Sequence, residues 1–146
     1  MRIAIVDDNH TDRIFLREGL ERILLKRNIE NSEIHIFNSA EDILEYLKNE
    51  QETFFDLIFM DIYMEKLTGV DAAREIRKKD KKVKIVFIRA PYVENIKEGV
   101  EILATVNGNI TAVREKNMLA VSFHPELTND TSVHEYFLDI IKNQKK

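Results

Sequence analysis

Apolar positions along this chain follow two different patterns, and the change falls near residue 90. Through the first 88 residues, short apolar runs alternate with stretches of helical spacing. Ile3 to Val6 and Leu57 to Met60 are unbroken apolar runs, as expected of strands buried on both faces. Glu33 to Phe37 and Lys84 to Ile88 read as further strands. Between them, Thr11 to Lys26 places Leu16, Leu20, Ile23 and Leu24 on one helical face. Ala40 to Lys48 forms a second helix behind Ser39, an N-cap residue, and a third runs from about Gly69 to Lys78. Repeated strand–helix alternation predicts an α/β fold: a parallel sheet, right-handed crossovers and helices on both faces.

After Ala90-Pro91 the strands follow one another directly. Val100 to Val106 is a strand, Asn107-Gly108 is a strong hairpin turn, and Ile110 to Glu115 returns. Lys116-Asn117 turns again, Met118 to Phe123 forms another strand, and a helix from about Val133 to Asn143 follows. Four glycines and two prolines are too few to form a linker, so the change of pattern lies inside one domain, residues 1–146.

Composition adds limits. The chain has 146 residues, 44% of them apolar and 33% charged, with a net charge of −4. That length buries a real core, and the balance is that of a globular protein. The mild acidity argues against nucleic acid as a partner. No apolar stretch approaches the ~18 residues that span a bilayer, so no membrane association is expected. Met1 leads straight into a strand pattern with no secretory signal, which makes a cytoplasmic location the expectation. The absence of cysteine excludes disulfides, thiolate metal sites and a cysteine nucleophile within these residues. His10, His35 and His134 are scattered and read as surface or helix-face residues.

Two groups of residues carry candidate chemistry. In an open parallel sheet, ligands bind beyond the carboxyl ends of the strands. Asp7 and Asp8 follow the first strand and Asp61 ends the third, so the three carboxylates are expected on one rim. Their mutual repulsion is relieved by a hard divalent cation such as Mg²⁺. The second group is Ser122-Phe123-His124-Pro125-Glu126-Leu127, which sets a histidine two residues before a glutamate.

Ile5-Val6-Asp7-Asp8-Asn9, Asp56 to Met64 and Leu67-Thr68-Gly69-Val70 resemble a bacterial response-regulator receiver domain, of the type associated with LytTR output domains. The resemblance covers residues 1–88. It implies a doubly wound, flavodoxin-like sheet in the order 2-1-3-4-5, with Met118 to Phe123 as the fifth strand and the added β-hairpin before it. It also implies Asp61 as phosphoacceptor, with Mg²⁺ held by Asp7, Asp8, Asp61 and the Tyr63 backbone carbonyl. A histidine kinase or a small phosphodonor would then be the partner, although no output domain follows in this chain. Two positions depart from the receiver pattern. Arg89 stands where a Thr or Ser is expected, and His124 where a lysine is expected before the retained Pro125. Arg89 would compete with Mg²⁺ for the acids, so weak metal binding and impaired phosphorylation are expected.

Phe87 to Glu94, Ile110 to Glu115 and Ser122 to Thr128 resemble the C-terminal part of the glutaminase subunit of pyridoxal 5'-phosphate synthase, a class I glutamine amidotransferase. This second resemblance covers residues 87–141. It implies His124 as general base, Glu126 as its orienting partner, and Ile88 and Arg89 as glutamine contacts. The family's nucleophile is a cysteine, which these residues lack, so His124 and Glu126 read as vestigial triad members. Together the resemblances suggest a chimera of a receiver-like fragment, 1–88, and an amidotransferase-like fragment, 89–146. The expectation is an engineered scaffold, not an enzyme, that keeps an acidic phosphoacceptor pocket. The alternatives are a working two-component receiver and an amidotransferase-like piece of the synthase.

Overall fold

In the computed structural model the described residues are 1–48, 54–88, 93–106, 108–116, 118–122 and 132–143. The elements run β1 (Arg2–Val6), α1 (His10–Lys26), β2 (Glu33–Phe37), α2 (Ala40–Lys48), β3 (Leu57–Asp61), α3 (Gly69–Lys79) and β4 (Lys84–Ile88). They continue as β5 (Glu101–Val106), β6 (Asn109–Glu115), β7 (Met118–Val121) and α4 (Ser132–Asn143).

All seven strands join one sheet in the order β2-β1-β3-β4-β7-β6-β5. The first five positions are parallel, with β7 filling the place of a fifth receiver-type strand beside β4. β6 then pairs antiparallel with β7, and β5 with β6, so the hairpin extends the sheet at one edge as the Asn107-Gly108 signal predicts. Gly108 takes φ 81°, a left-handed conformation that a hairpin turn requires and that glycine adopts without steric cost. β5 carries register irregularities around Ala104, which bend this edge strand.

Helix ends follow local chemistry. The Asn9 side chain accepts from the backbone N–H groups of Thr11 and Asp12, capping α1. Ser39 Oγ accepts from Asp42 N at 3.1 Å before α2, and Thr68 Oγ1 accepts from Asp71 N at 3.2 Å before α3.

The sheet divides two cores. On one face, Ile3, Ile5, Leu57, Phe59, Val86 and Ile88 pack with α1 and α4. On the other, Ala4, Val6, Ile58, Met60 and Ile85 pack with α2 and α3. The alternation of neighbouring residues between faces follows from the strand period of two. Arg27, at the end of α1, binds Glu135 at 3.1 Å and also Asp139, tying α1 to α4. These hydrogen bonds hold its guanidinium above its ordinary pKa. His134, read from the sequence as a surface or helix-face residue, sits on the inner face of α4, buried at 4% exposure with its ring 6.0 Å from that of Phe59. Its position on α4 turns it toward the sheet with Phe137 and Leu138, which are also buried.

Candidate functional site

The carboxyl ends of β1 and β3 bring Asp7, Asp8 and Asp61 together. One carboxylate oxygen from each lies within 4.8 Å of the others. Asp7 and Asp61 are buried, while Asp8 faces solvent. Local backbone fixes the two buried acids. Asp7 Oδ1 accepts from Asn9 N at 2.7 Å, and Asp61 Oδ1 accepts from Tyr63 N at 3.2 Å. Each acid thus closes a short turn directly after its strand, which aims its side chain along the rim.

The loop from Asp61 to Gly69 folds back against this rim. Gly69 N donates to Ile62 O at 3.1 Å. A Cβ at Gly69 would lie 2.0 Å from the Asp61 carbonyl oxygen and 2.7 Å from Met60 Cγ. Only glycine allows α3 to start this close to β3. Ile88 ends β4 beside Asp61, buried at 2%, and its carbonyl accepts from Ile62 N at 3.3 Å. Tyr63, whose carbonyl completes the expected ligand set, is exposed at its side chain.

Arg13 belongs to this region and was not among the candidates. It is buried at 8%, and its Nη1 donates to the Asp7 carbonyl at 2.6 Å. The sequence signal was available, because Arg13 stands three residues before Leu16 on the apolar face of α1. A cation on a core-facing stripe needs an internal acceptor.

Arg89, His124 and Glu126 lie outside the described residues, so the structure does not place them relative to the acids. Thr111 and Ser122, which flank that second group, are described. Ser122 N donates to Thr111 O at 2.8 Å across the β6–β7 pair, so the strand pairing extends one residue beyond Val121.

The donor set Asp7, Asp8 and Asp61 consists of oxygen alone, which fits a hard divalent ion and does not fit zinc or copper. No described helix is long and apolar enough to cross a membrane.

The family profile described as the SNO glutamine amidotransferase family matches residues 13–143. The chain belongs to that family. Among curated relatives, the pyridoxal 5'-phosphate synthase subunit PdxT of Streptococcus pneumoniae serotype 19F (strain G54) is 54% identical over 63 residues, 43% of this chain and 33% of the relative. The chain thus spans about a third of the length of the curated relatives it matches. A solved structure described as a glutamine amidotransferase aligns with 96% of this chain and 98% of its own, at a TM-score of 0.64 and 18% identity. That likeness establishes the shared α/β fold. The response regulator TrrA of Thermotoga maritima, solved with Mg(2+)-BeF, overlaps 59% of this chain and 66% of its own at 33% identity and a TM-score of 0.48.

Family membership corrects the sequence-derived reading of function. An engineered, inactive scaffold built on a receiver pocket is overturned, because the amidotransferase profile begins at residue 13, well inside the receiver-like part. Two-component signalling falls with it, and so does the expectation of a histidine kinase or small phosphodonor as partner. The expectation that the chain is not an enzyme is likewise overturned, since the matching family is one of glutamine amidotransferases. The physical source of the error is that both families end their parallel strands in turns carrying polar residues at one rim.

Proposed function

We propose that this chain is a glutamine-handling subunit in pyridoxal 5'-phosphate synthesis and works beside the other subunit of that synthase in the cytoplasm. The observation that carries this reading is the 54% identity over 63 residues to a synthase subunit, together with a family match over residues 13–143. In this reading His124 moves the proton and Glu126 orients its ring. Ile88 and Arg89 border the glutamine. Amide cleavage through a thioester also needs a thiol, and these 146 residues contain none. The association with the other subunit is therefore as informative as turnover. The test mixes the purified chain with that subunit and follows complex formation by sedimentation and glutamine binding by isothermal titration. A stable complex whose glutamine binding weakens on Arg89→Ala supports the reading. Failure to form any complex overturns it.

We further propose that the Asp7, Asp8 and Asp61 rim takes one Mg²⁺ with the Tyr63 carbonyl. The support is the approach of three carboxylate oxygens within 4.8 Å of one another. An ion there relieves the repulsion among the acids and keeps several waters. Isothermal titration with Mg²⁺ checks this, with binding expected in wild type and lost in Asp61→Asn.

A further inference from the structure

At the amino end of the sheet, opposite the acidic rim, α2 and α3 part to leave a cleft of about 520 Å³. Small-molecule sites typically enclose about 300–1,000 Å³. Leu44 and Leu47 of α2, Ile76 of α3, and Phe55, Ile58 and Val83 line it. Leu44 and Leu47 remain half-exposed, so the cleft offers apolar surface that the described residues leave partly open. Phe55 lies two residues before β3, and Val83 directly precedes β4. Ile58 stands three residues before Asp61, which puts the cleft about 10 Å from the acids along β3.

The charges at its mouth are unevenly engaged. Among the described residues, four charged side chains line the cleft: Lys48, Glu75, Lys79 and Asp80. Glu75 is bound to Lys78, Nζ to Oε1 at 2.6 Å. Asp80 Oδ1 accepts from Lys82 N at 2.7 Å and Val83 N at 3.0 Å, closing the turn into β4. Both acids are thus committed to local structure. Lys48 and Lys79 have no ion pair among the described residues. Each stands in the last turn of its helix, where the partial negative charge of the carbonyl end favours a cation without neutralising it. The cleft therefore combines an apolar floor with two available ammonium groups.

We propose that this cleft binds a small amphipathic carboxylate, a molecule with a compact apolar body and one anionic group. The body covers Leu44, Leu47 and Ile76, and the carboxylate meets Lys48 and Lys79. This site is independent of the glutamine chemistry and of the acidic rim.

The probe is 2-naphthoate, compared with neutral 2-naphthylmethanol, titrated into the full chain and followed by amide shifts in two-dimensional NMR. Saturable shifts should centre on Leu44, Leu47, Ile76 and Val83. Charge-assisted contacts to the lysines should make the anion bind about tenfold more tightly than the alcohol. Lys48→Met with Lys79→Met should abolish that preference while keeping binding of the alcohol. Leu47→Glu, at a half-exposed position, should weaken 2-naphthoate by at least about tenfold through like-charge repulsion and lost apolar contact. Circular dichroism checks that each variant is folded. Shifts centred elsewhere, no saturable binding, equal affinity for the two probes, or an unchanged preference in the lysine variant would each overturn the proposal.

Discussion

At the scale of single residues, two positions show how sharply local geometry constrains side-chain choice. Gly69 has no room for a β-carbon, because the Asp61 carbonyl stands 2.0 Å from where it would sit. Backbone cannot give way as a flexible side chain can. Gly69→Ala is expected to cost about 3 kcal/mol, the upper part of the range for overpacking, and to disturb Asp61. Urea denaturation reads the first effect and Mg²⁺ titration the second. An unchanged urea midpoint would show that α3 shifts freely against β3. Arg77 presents the opposite case. Its Nη1 donates to the Asp80 carbonyl at 3.2 Å, but Nη2 is buried without a partner among the described residues. Burial lowers its pKa, only partly offset by Asp80. A base with a lowered folded pKa binds its proton less tightly than the unfolded chain does. The penalty is therefore present wherever the unfolded side chain is charged, across the acid and neutral range, and is relieved only in strong alkali. Arg77→Met keeps the stem and removes the charge, so it should raise stability by about 1 kcal/mol at neutral pH. A loss of stability in that variant would mean the guanidinium has a favourable role that its contacts do not reveal.

At the scale of elements, the parallel strands were legible because unbroken apolar runs of this length have few alternatives. β3 is buried at all five of its residues, and Leu57 to Met60 already marked it in the sequence. The hairpin was legible for a different reason, a turn signal flanked by strand-forming residues. Gly108 meets nothing within 4 Å, so its requirement is conformational and not steric. Gly108→Ala should cost about 1 kcal/mol through its positive φ alone, with β5 and β6 still paired. Thermal unfolding and amide exchange in β6 distinguish that outcome from loss of the hairpin. Strand ends were less legible. Val100 was expected to open the first hairpin strand, but β5 begins at Glu101; Phe123, expected to end β7, lies outside the described residues, within which that strand runs from Met118 to Val121 and Ser122 adds one further backbone bond. The irregularities in β5 near Ala104 also left no trace in the sequence, because side-chain alternation does not reveal which backbone groups find partners. At the site, the acids were legible as strand-end residues, whereas Arg13 was hidden by its charge.

At the scale of the whole molecule, the change of sequence pattern near residue 90 does not divide the fold. β4 pairs with β7, and one core contains Ile3, Leu20, Val86, Leu119 and Phe137. Residues from both sides of the change therefore lose water together, which is why a boundary suggested by local motifs is a poor guide to the cooperative unit. Function was less legible than fold for the same reason: short turn motifs of the receiver type occupy the early strands, while the family match extends to residue 143. The shared core gives a prediction. A domain below about 150 residues whose parts share a core should unfold in a single transition. In a urea titration followed by NMR, the native signals of Phe59 on β3 and Val121 on β7, both in that core, should vanish at the same midpoint. Leu119 is 1% exposed, so Leu119→Ala should cost about 3 kcal/mol through lost burial and the cavity left behind. Because the two regions share that core, the variant should lower both midpoints equally. If the β7 signal were lost first and Phe59 kept its wild-type midpoint, the β4–β7 junction would be a seam between separately folding parts, and the shared-core account would fail.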